Sequence, residues 1–266
     1  MTRSSAPPFP FTMAFQPIVD VRAEKIFAYE ALARGPRGEP AADVLAQVDE
    51  ENRFAFEQHT RTIAIALAGQ LGIVQTGARL SINFVPGSIV SDVACLKPTL
   101  DVSQAYGVPL DRLIFEITEV EEVRSLPHLP AIFEEYRRRG FGIAIDDFGS
   151  GYSGLNLLAD FPADIIKLDM ALIRNVDRRP AALAIVGQMV KLAKSLGSHL
   201  IAEGVETVEE YVALRSSGVY LMQGYLLGRP AFEALPDFSL PALRRSSKSP
   251  LGFRTNPVLE NEIRTA

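Results

Sequence analysis

Carboxylates, amides and a lysine recur at the ends of successive β-rich runs of this sequence. They are Glu30 in YEAL, Asn83 in SINF, Glu116 in IFEIT and Asp146-Asp147 after GIAI, then Lys167 in IIKLD, Glu203 in LIAEG and Gln223 in LMQG. Carboxylates with one amide make an oxygen donor set that suits Mg²⁺ or Mn²⁺ and not zinc held by soft ligands. Brought together without counter-charge, such carboxylates repel one another and several must take up protons. Two divalent cations remove that conflict. They also supply phosphate-ester chemistry: a shared water made more acidic, and a clamp on the attacking and leaving oxygens. A single Asp or Glu after a strand usually caps the next helix. Recurrence across so many strands points instead to one shared site.

The elements that must position these residues follow from the apolar pattern. Strands are expected at Met13–Val19, Ile26–Leu32, Leu80–Phe84, Leu113–Ile117, Gly142–Ile145, Ile165–Leu168, His199–Ala202 and Tyr220–Met222. Helical periodicity separates most of them, at Phe54–Leu71, Leu129–Arg139, Ala181–Leu196 and Val208–Ser216. This alternation predicts an α/β fold, a (β/α)8 TIM-like barrel, whose strand ends converge on one face where catalytic groups sit. The turn Asp20–Lys25 is too short for a crossover helix, so the first strand is expected to run antiparallel. The barrel is placed at 13–240, after a Pro- and Ser-rich lead-in (1–12, flexible or ordered on contact) and before a polar tail, 241–266, expected to be mostly disordered.

The whole chain narrows the function classes. It has 266 residues, 47% hydrophobic and 22% charged, with a net charge of -5. That supports one sizeable core and argues against a nucleic-acid polymer as partner. Cys95 is the only cysteine, which excludes an internal disulfide and a cysteine-based zinc site. No signal peptide and no apolar run long enough to span a bilayer is present, so no membrane insertion and a cytoplasmic location are expected. His59, His128 and His199 are scattered without metal-ligand spacing. The GSGYSG run lacks the ending of a nucleotide phosphate loop and reads as a flexible active-site loop. Arg137–Arg139 close a helix, where positive charge suits the dipole.

Taken together, FQPIVD, YEALARG, SINF, FEITE, IDDFGSGYSGLNLL, DIIKLD, IAEGVE and QGYLLGRP resemble, in order, the motifs of the EAL-domain family, the cyclic-di-GMP phosphodiesterases. The likeness runs from about Phe15 to Phe232. Ser150 and Gly154 depart from the commoner Thr and Ser of that family, without loss of a ligand position.

The resemblance implies a role for each matching residue. Glu30, Asn83, Glu116 and Asp146 would hold one metal; Asp146 would bridge to a second, joined by Asp147 and Glu203. Lys167 would orient the attacking water, Gln223 would support that region, and Arg34 and Gln16 would contact substrate. Glu119 would tie down the Asp147–Asn156 loop, which in the family links the metal site to a dimer interface. The implied reaction is hydrolysis of cyclic di-GMP to linear 5′-pGpG with two Mg²⁺ or Mn²⁺ ions, lowering a bacterial second messenger, with Ca²⁺ inhibitory. The group that takes the water's proton stays open, Glu203 acting with Lys167 being one candidate. A homodimer and a separate regulatory protein are expected as partners. The alternatives are a catalytically silent EAL module that binds the nucleotide or a protein partner, and a different metal-assisted barrel hydrolase.

Overall fold

The computed structural model describes residues 9–84, 96–118, 129–150, 154–160 and 163–242. The chain opens with a hairpin, β1 (Thr12–Asp20) and β2 (Lys25–Arg34), joined by a polar turn in which Asp20 Oδ1 accepts from the N–H groups of Arg22 and Ala23. Six further strands follow: β3 (Arg79–Asn83), β4 (Leu113–Thr118), β5 (Gly142–Phe148), β6 (Ile165–Leu168), β7 (His199–Ala202) and β8 (Leu221–Met222). From β2 to β8 each pairs parallel with the next, and β1 pairs antiparallel with both β2 and β8, closing an eight-stranded barrel. The antiparallel first strand is thus as the short turn predicts. A ninth strand, β9 (Ala231–Phe232), pairs with β1 at Ala14 and Phe15. With only two residues it leaves no periodic trace in the sequence.

The helices of the strand connections include α1 (Ala41–Leu45), α2 (Arg53–Gln70), α3 (Ile73–Thr76), α4 (Lys97–Tyr106), α5 (Leu129–Arg138), α6 (Gly154–Asp160), α7 (Met170–Ile173), α8 (Pro180–Leu196) and α9 (Val208–Ser216). Helix α8 shows the local logic. Pro180 opens it where no intrahelical N–H is needed, Gly197 ends it at φ 74, and Ala182, Val186, Met189 and Ala193 form its buried stripe. Helix α4 escapes the apolar pattern because its buried positions are Thr99 and Ser103. Among the described residues no helix is long and apolar enough to cross a membrane.

Of the lead-in placed at 1–12, residues 9–12 are described, and Phe9 and Phe11 lie against Phe56 of α2, with ring centroids 5.7 and 4.9 Å away. Residues 1–8 and the expected tail from 243 onward lie outside the described residues.

Two apolar clusters form the core. The larger lies between strands and helices. The smaller fills the barrel with Ile18, Ala28, Ile114, Ala144, Ile165, Ile201 and Leu221, one residue from each of the eight barrel strands except β3. Strand side chains alternate, so the residue two places along faces the same way. Two places from these seven are Gln16, Glu30, Glu116, Asp146, Lys167, Glu203 and Gln223. The polar floor is therefore laid directly on the apolar plug by strand geometry.

A glycine closes this arrangement beside β8. A Cβ on Gly224 would lie 2.1 Å from the Val205 carbonyl oxygen and 2.3 Å from its nitrogen. Both neighbours are backbone, held by the bonds Val205 N–H to Gln223 O (3.0 Å) and Leu226 N–H to Val205 O (3.1 Å). Gly224→Ala is expected to destabilise the protein by more than about 2 kcal/mol, the scale of forced overpacking, measured by denaturant unfolding. Unchanged stability would mean that this turn relaxes freely.

Candidate metal centre

Lys167 stands at the centre of the polar floor and is 1% exposed. Its Nζ lies 2.7 Å from Glu203 Oε1, 2.9 Å from Glu116 Oε2, 2.9 Å from Asp146 Oδ1 and 3.7 Å from Glu30 Oε1. The carboxylates of Glu30 and Glu116 are also held from the sides. Ser81 Oγ donates to Glu116 Oε1 at 2.6 Å, Asn83 Nδ2 to Glu30 Oε1 at 3.2 Å, and Gln223 Nε2 to Glu30 Oε2 at 2.7 Å. Gln16, opposite Glu30 in the β1–β2 register, donates to the Gly228 carbonyl at 3.1 Å.

Asp147 reaches the same site through an irregularity. The β5–β6 pairing shifts between Ile145 and Phe148, and Asp147 has φ 53. A left-handed Asp costs roughly 1 kcal/mol or more and persists where its surroundings fix it. The shift lets two consecutive residues serve one face. Two groups of carboxylates result, Glu30 with Glu116 and Asp146, and Asp146 with Asp147 and Glu203, each with ligand atoms within 4.8 Å of one another. Asp146 belongs to both.

The electrostatics of this floor are unbalanced. Among the described residues Glu30, Glu116, Asp146, Asp147 and Glu203 face a single ammonium, that of Lys167. Burial pushes the Glu203 carboxyl up to about 8, with Asp146 and Glu30 adding to the effect and Lys167 opposing it. Burial likewise raises Glu116 well above the usual carboxylate range, and Asp147 moves up through burial and its neighbour Asp146. Burial alone would lower the Lys167 ammonium, but Glu116, Glu203, Glu30 and Asp146 outweigh it and raise it. Among the described residues the buried Gln223 Oε1 accepts no hydrogen bond, and the buried Asp146 Oδ1 meets only the Lys167 ammonium, at 2.9 Å. Hard oxygen donors in two groups with one shared member fit a pair of divalent cations, which would replace the missing positive charge.

The cleft above the floor holds about 310 Å³. Gln16, Glu30, Asp146, Asp147, Lys167, Glu203 and Gln223 line it, together with Asp169, Met170, Gly204, Glu206, Gly224 and Tyr225; Asn83 and Glu116 are not among its lining residues. Arg34 ends β2 four residues beyond Glu30. Its guanidinium turns back to the Ala33 carbonyl at 2.7 Å and does not line the cleft. Glu119, with His128 and Cys95, lies outside the described residues, as does part of the Asp147–Asn156 loop; Gly154–Asn156 of that loop begin α6. Ser81 and Asp169 escape the sequence reading. Ser81 sits two residues before Asn83 on one strand face, a period that would find it; Asp169 serves as the N-cap of α7, accepting from Ala171 N–H at 2.8 Å.

The EAL domain family model matches residues 10–230. Over 235 residues the chain is 32% identical to the cyclic di-GMP phosphodiesterase PA2567 of Pseudomonas aeruginosa, covering 86% of this chain and 40% of that protein. Over 228 residues it is 29% identical to the blue light- and temperature-regulated antirepressor BluF of Escherichia coli, covering 86% of this chain and 56% of BluF. The chain spans about half the length of these curated relatives. The crystal structure of a standalone versatile EAL protein from Vibrio cholerae O395, in its c-di-GMP bound form, matches with a TM-score of 0.84 at 46% identity, over 88% of this chain and 98% of that one.

Proposed function

The chain belongs to the EAL-domain family, and from that premise we propose that it hydrolyses cyclic di-GMP to linear 5′-pGpG at the acidic floor. The observation that carries this reading is the pair of carboxylate groups sharing Asp146 around the buried ammonium of Lys167. Glu30, Asn83, Glu116 and Asp146 would hold one Mg²⁺ or Mn²⁺, and Asp146, Asp147 and Glu203 the other. When bound, such ions supply a more acidic water and neutralise charge on the phosphoryl oxygens.

The remaining work falls to side chains of this protein. Lys167, 2.7 Å from Glu203 and 2.9 Å from Asp146, orients the attacking water and offsets charge as it grows. Glu203, its Oε1 2.7 Å from Lys167 Nζ, accepts the water's proton, a cation beside it keeping the carboxylate ionised. The water oxygen bonds to phosphorus in line as the bond to the 3′ oxygen breaks, and that oxygen takes up a proton from solvent to leave as the 3′ hydroxyl. Gln223, Asn83 and Ser81 hold the carboxylates of Glu30 and Glu116, so the donors do not rearrange during the step. Arg34, swung from Ala33, contacts a substrate phosphate, for which a guanidinium suits bidentate recognition.

The test is chromatography of cyclic di-GMP incubated with the purified chain and each metal in turn. Conversion to pGpG is expected with Mg²⁺ or Mn²⁺ and little with Ca²⁺ alone, because the larger ion polarises water less and prefers looser coordination. Full turnover on calcium would count against this site. Tight nucleotide binding with no conversion under any metal would replace the enzyme reading by that of a receptor.

A further inference from the structure

Two loops carry one side of the cleft. The loop after β6 holds Asp169, then α7 and Asn175; the loop after β7 holds Glu203, Gly204 and Glu206. Their spacing is fixed by more than the barrel. Gly204 has φ +66, and a Cβ there would stand 2.6 Å from Met170 Cβ, so the loops meet with the Met170 side chain against the bare Gly204 backbone. Glu206 takes Arg174 of the other loop in a two-point ion pair at 2.7 and 2.8 Å. The Arg179 guanidinium donates to the Ala171 and Arg174 carbonyls at 2.8 and 2.9 Å, tying off the end of α7.

Beneath both loops lies Glu210, 1% exposed. Its two oxygens are divided between them. Oε1 accepts from Asn175 N–H at 2.8 Å, while Oε2 accepts from Glu206 N–H at 3.0 Å and Thr207 N–H at 3.1 Å. Thr207 and Glu210 form the capping box of α9. A capping box requires only the bond to the N-cap N–H. The bond to Asn175, which sits in the left-handed region at φ 53, serves the neighbouring loop and not α9. Burial alone would raise the Glu210 carboxyl, but the N–H groups of Glu206, Asn175 and Thr207, with Arg174 nearby, outweigh it and hold it below the usual range.

We propose that Glu210 is a positioning residue: its buried carboxylate clamps the β6 loop to the β7 loop and so fixes Glu203 against Asp146 and Asp147. The inference rests on the reading of those three as one cation site. Partners that orient a ligand without touching the metal are commonly worth 10-fold to about 100-fold in affinity.

Glu210→Gln keeps the side chain's volume but turns an NH₂ toward backbone N–H groups, breaking one half of the clamp without leaving a cavity. Arg174→Met removes the Glu206 pair and the longer 3.9 Å contact with Glu210 Oε1 but leaves the hydrogen bonds of Glu210 in place, and is the second variant should Glu210→Gln not fold. Mn²⁺ binding is titrated by electron paramagnetic resonance without nucleotide, beside amide exchange at Asn175 and Glu206. The wild type is expected to show two classes of Mn²⁺ site. Glu210→Gln should weaken one class by about 10-fold or more, leave the other unchanged and speed both exchange rates. Arg174→Met should weaken the same class less. Unchanged isotherms in the folded variant, or equal loss at both classes, overturn the positioning role and leave the metal reading standing. A wild type that binds no Mn²⁺ overturns the metal reading and this role with it.

Discussion

Asp146→Asn is expected to lose more than about 100-fold of cyclic di-GMP turnover, beyond the usual cost of losing an orienting partner, because it removes a ligand common to both carboxylate groups. The substitution is nearly isosteric, and Asn still offers one carbonyl oxygen, so the fold has no steric reason to fail. Electrostatics predict the opposite of unfolding in the metal-free protein. Asp146 raises the Glu116, Asp147 and Glu203 carboxyls, so removing its charge relieves repulsion on all three. In the presence of a chelator the variant should therefore melt no lower than the wild type while it fails to convert substrate. Near-normal hydrolysis by purified Asp146→Asn would sink the assignment of the site. A melting temperature well below the wild type's would mean that the loss of activity reports damage to the fold.

The strand pattern made most of this site legible in advance. Period-2 alternation places Glu30, Glu116, Asp146, Lys167, Glu203 and Gln223 two residues from the apolar plug, so the sequence alone puts them on one floor. The short turn at Asp20–Lys25 likewise determines that β1 is antiparallel. What the pattern cannot carry is geometry that breaks it. Asp147 reaches the floor through a register shift and a left-handed backbone, neither written in residue type. Helix α4 turns hydroxyls inward, so its periodicity is mute to a search for apolar stripes. In α2, Glu57 and Arg61 are buried with side-chain nitrogens and oxygens that lack hydrogen bonds among the described residues, where helical periodicity predicts solvent or a partner. Arg34 is placed by its motif, but where its guanidinium rests, with Nη1 on the Ala33 carbonyl at 2.7 Å, is not written in residue type.

Lys167→Met is expected to lower the stability of the metal-free protein at pH 8 by about 3–5 kcal/mol, the range for removing one partner of a buried ion pair. Methionine fills similar volume, so the loss is one of charge. Its pH dependence follows from the neighbours. Glu203 and Glu116 have folded carboxyls raised above their value of 4.5 in an unfolded chain, so the native state holds protons that the unfolded state has released. Stability from these groups is therefore present below about pH 4.5 and is lost as pH rises, through about 8 for Glu203. Lys167 opposes both shifts, so deleting it steepens the decline and carries it to higher pH. Glu57, buried in α2 and also pushed up to about 8, gives a decline of the same sign in both proteins. Mn²⁺ separates the two sources: ions at the floor should recover the part due to Glu116 and Glu203 and leave the part due to Glu57. Denaturant unfolding at pH 5 and pH 8, with chelator and with Mn²⁺, reads all of these terms. Equal stability of wild type and Lys167→Met at pH 8 in chelator would show that the carboxylates find protons or water without the lysine, and the unbalanced charge would then no longer argue for cations.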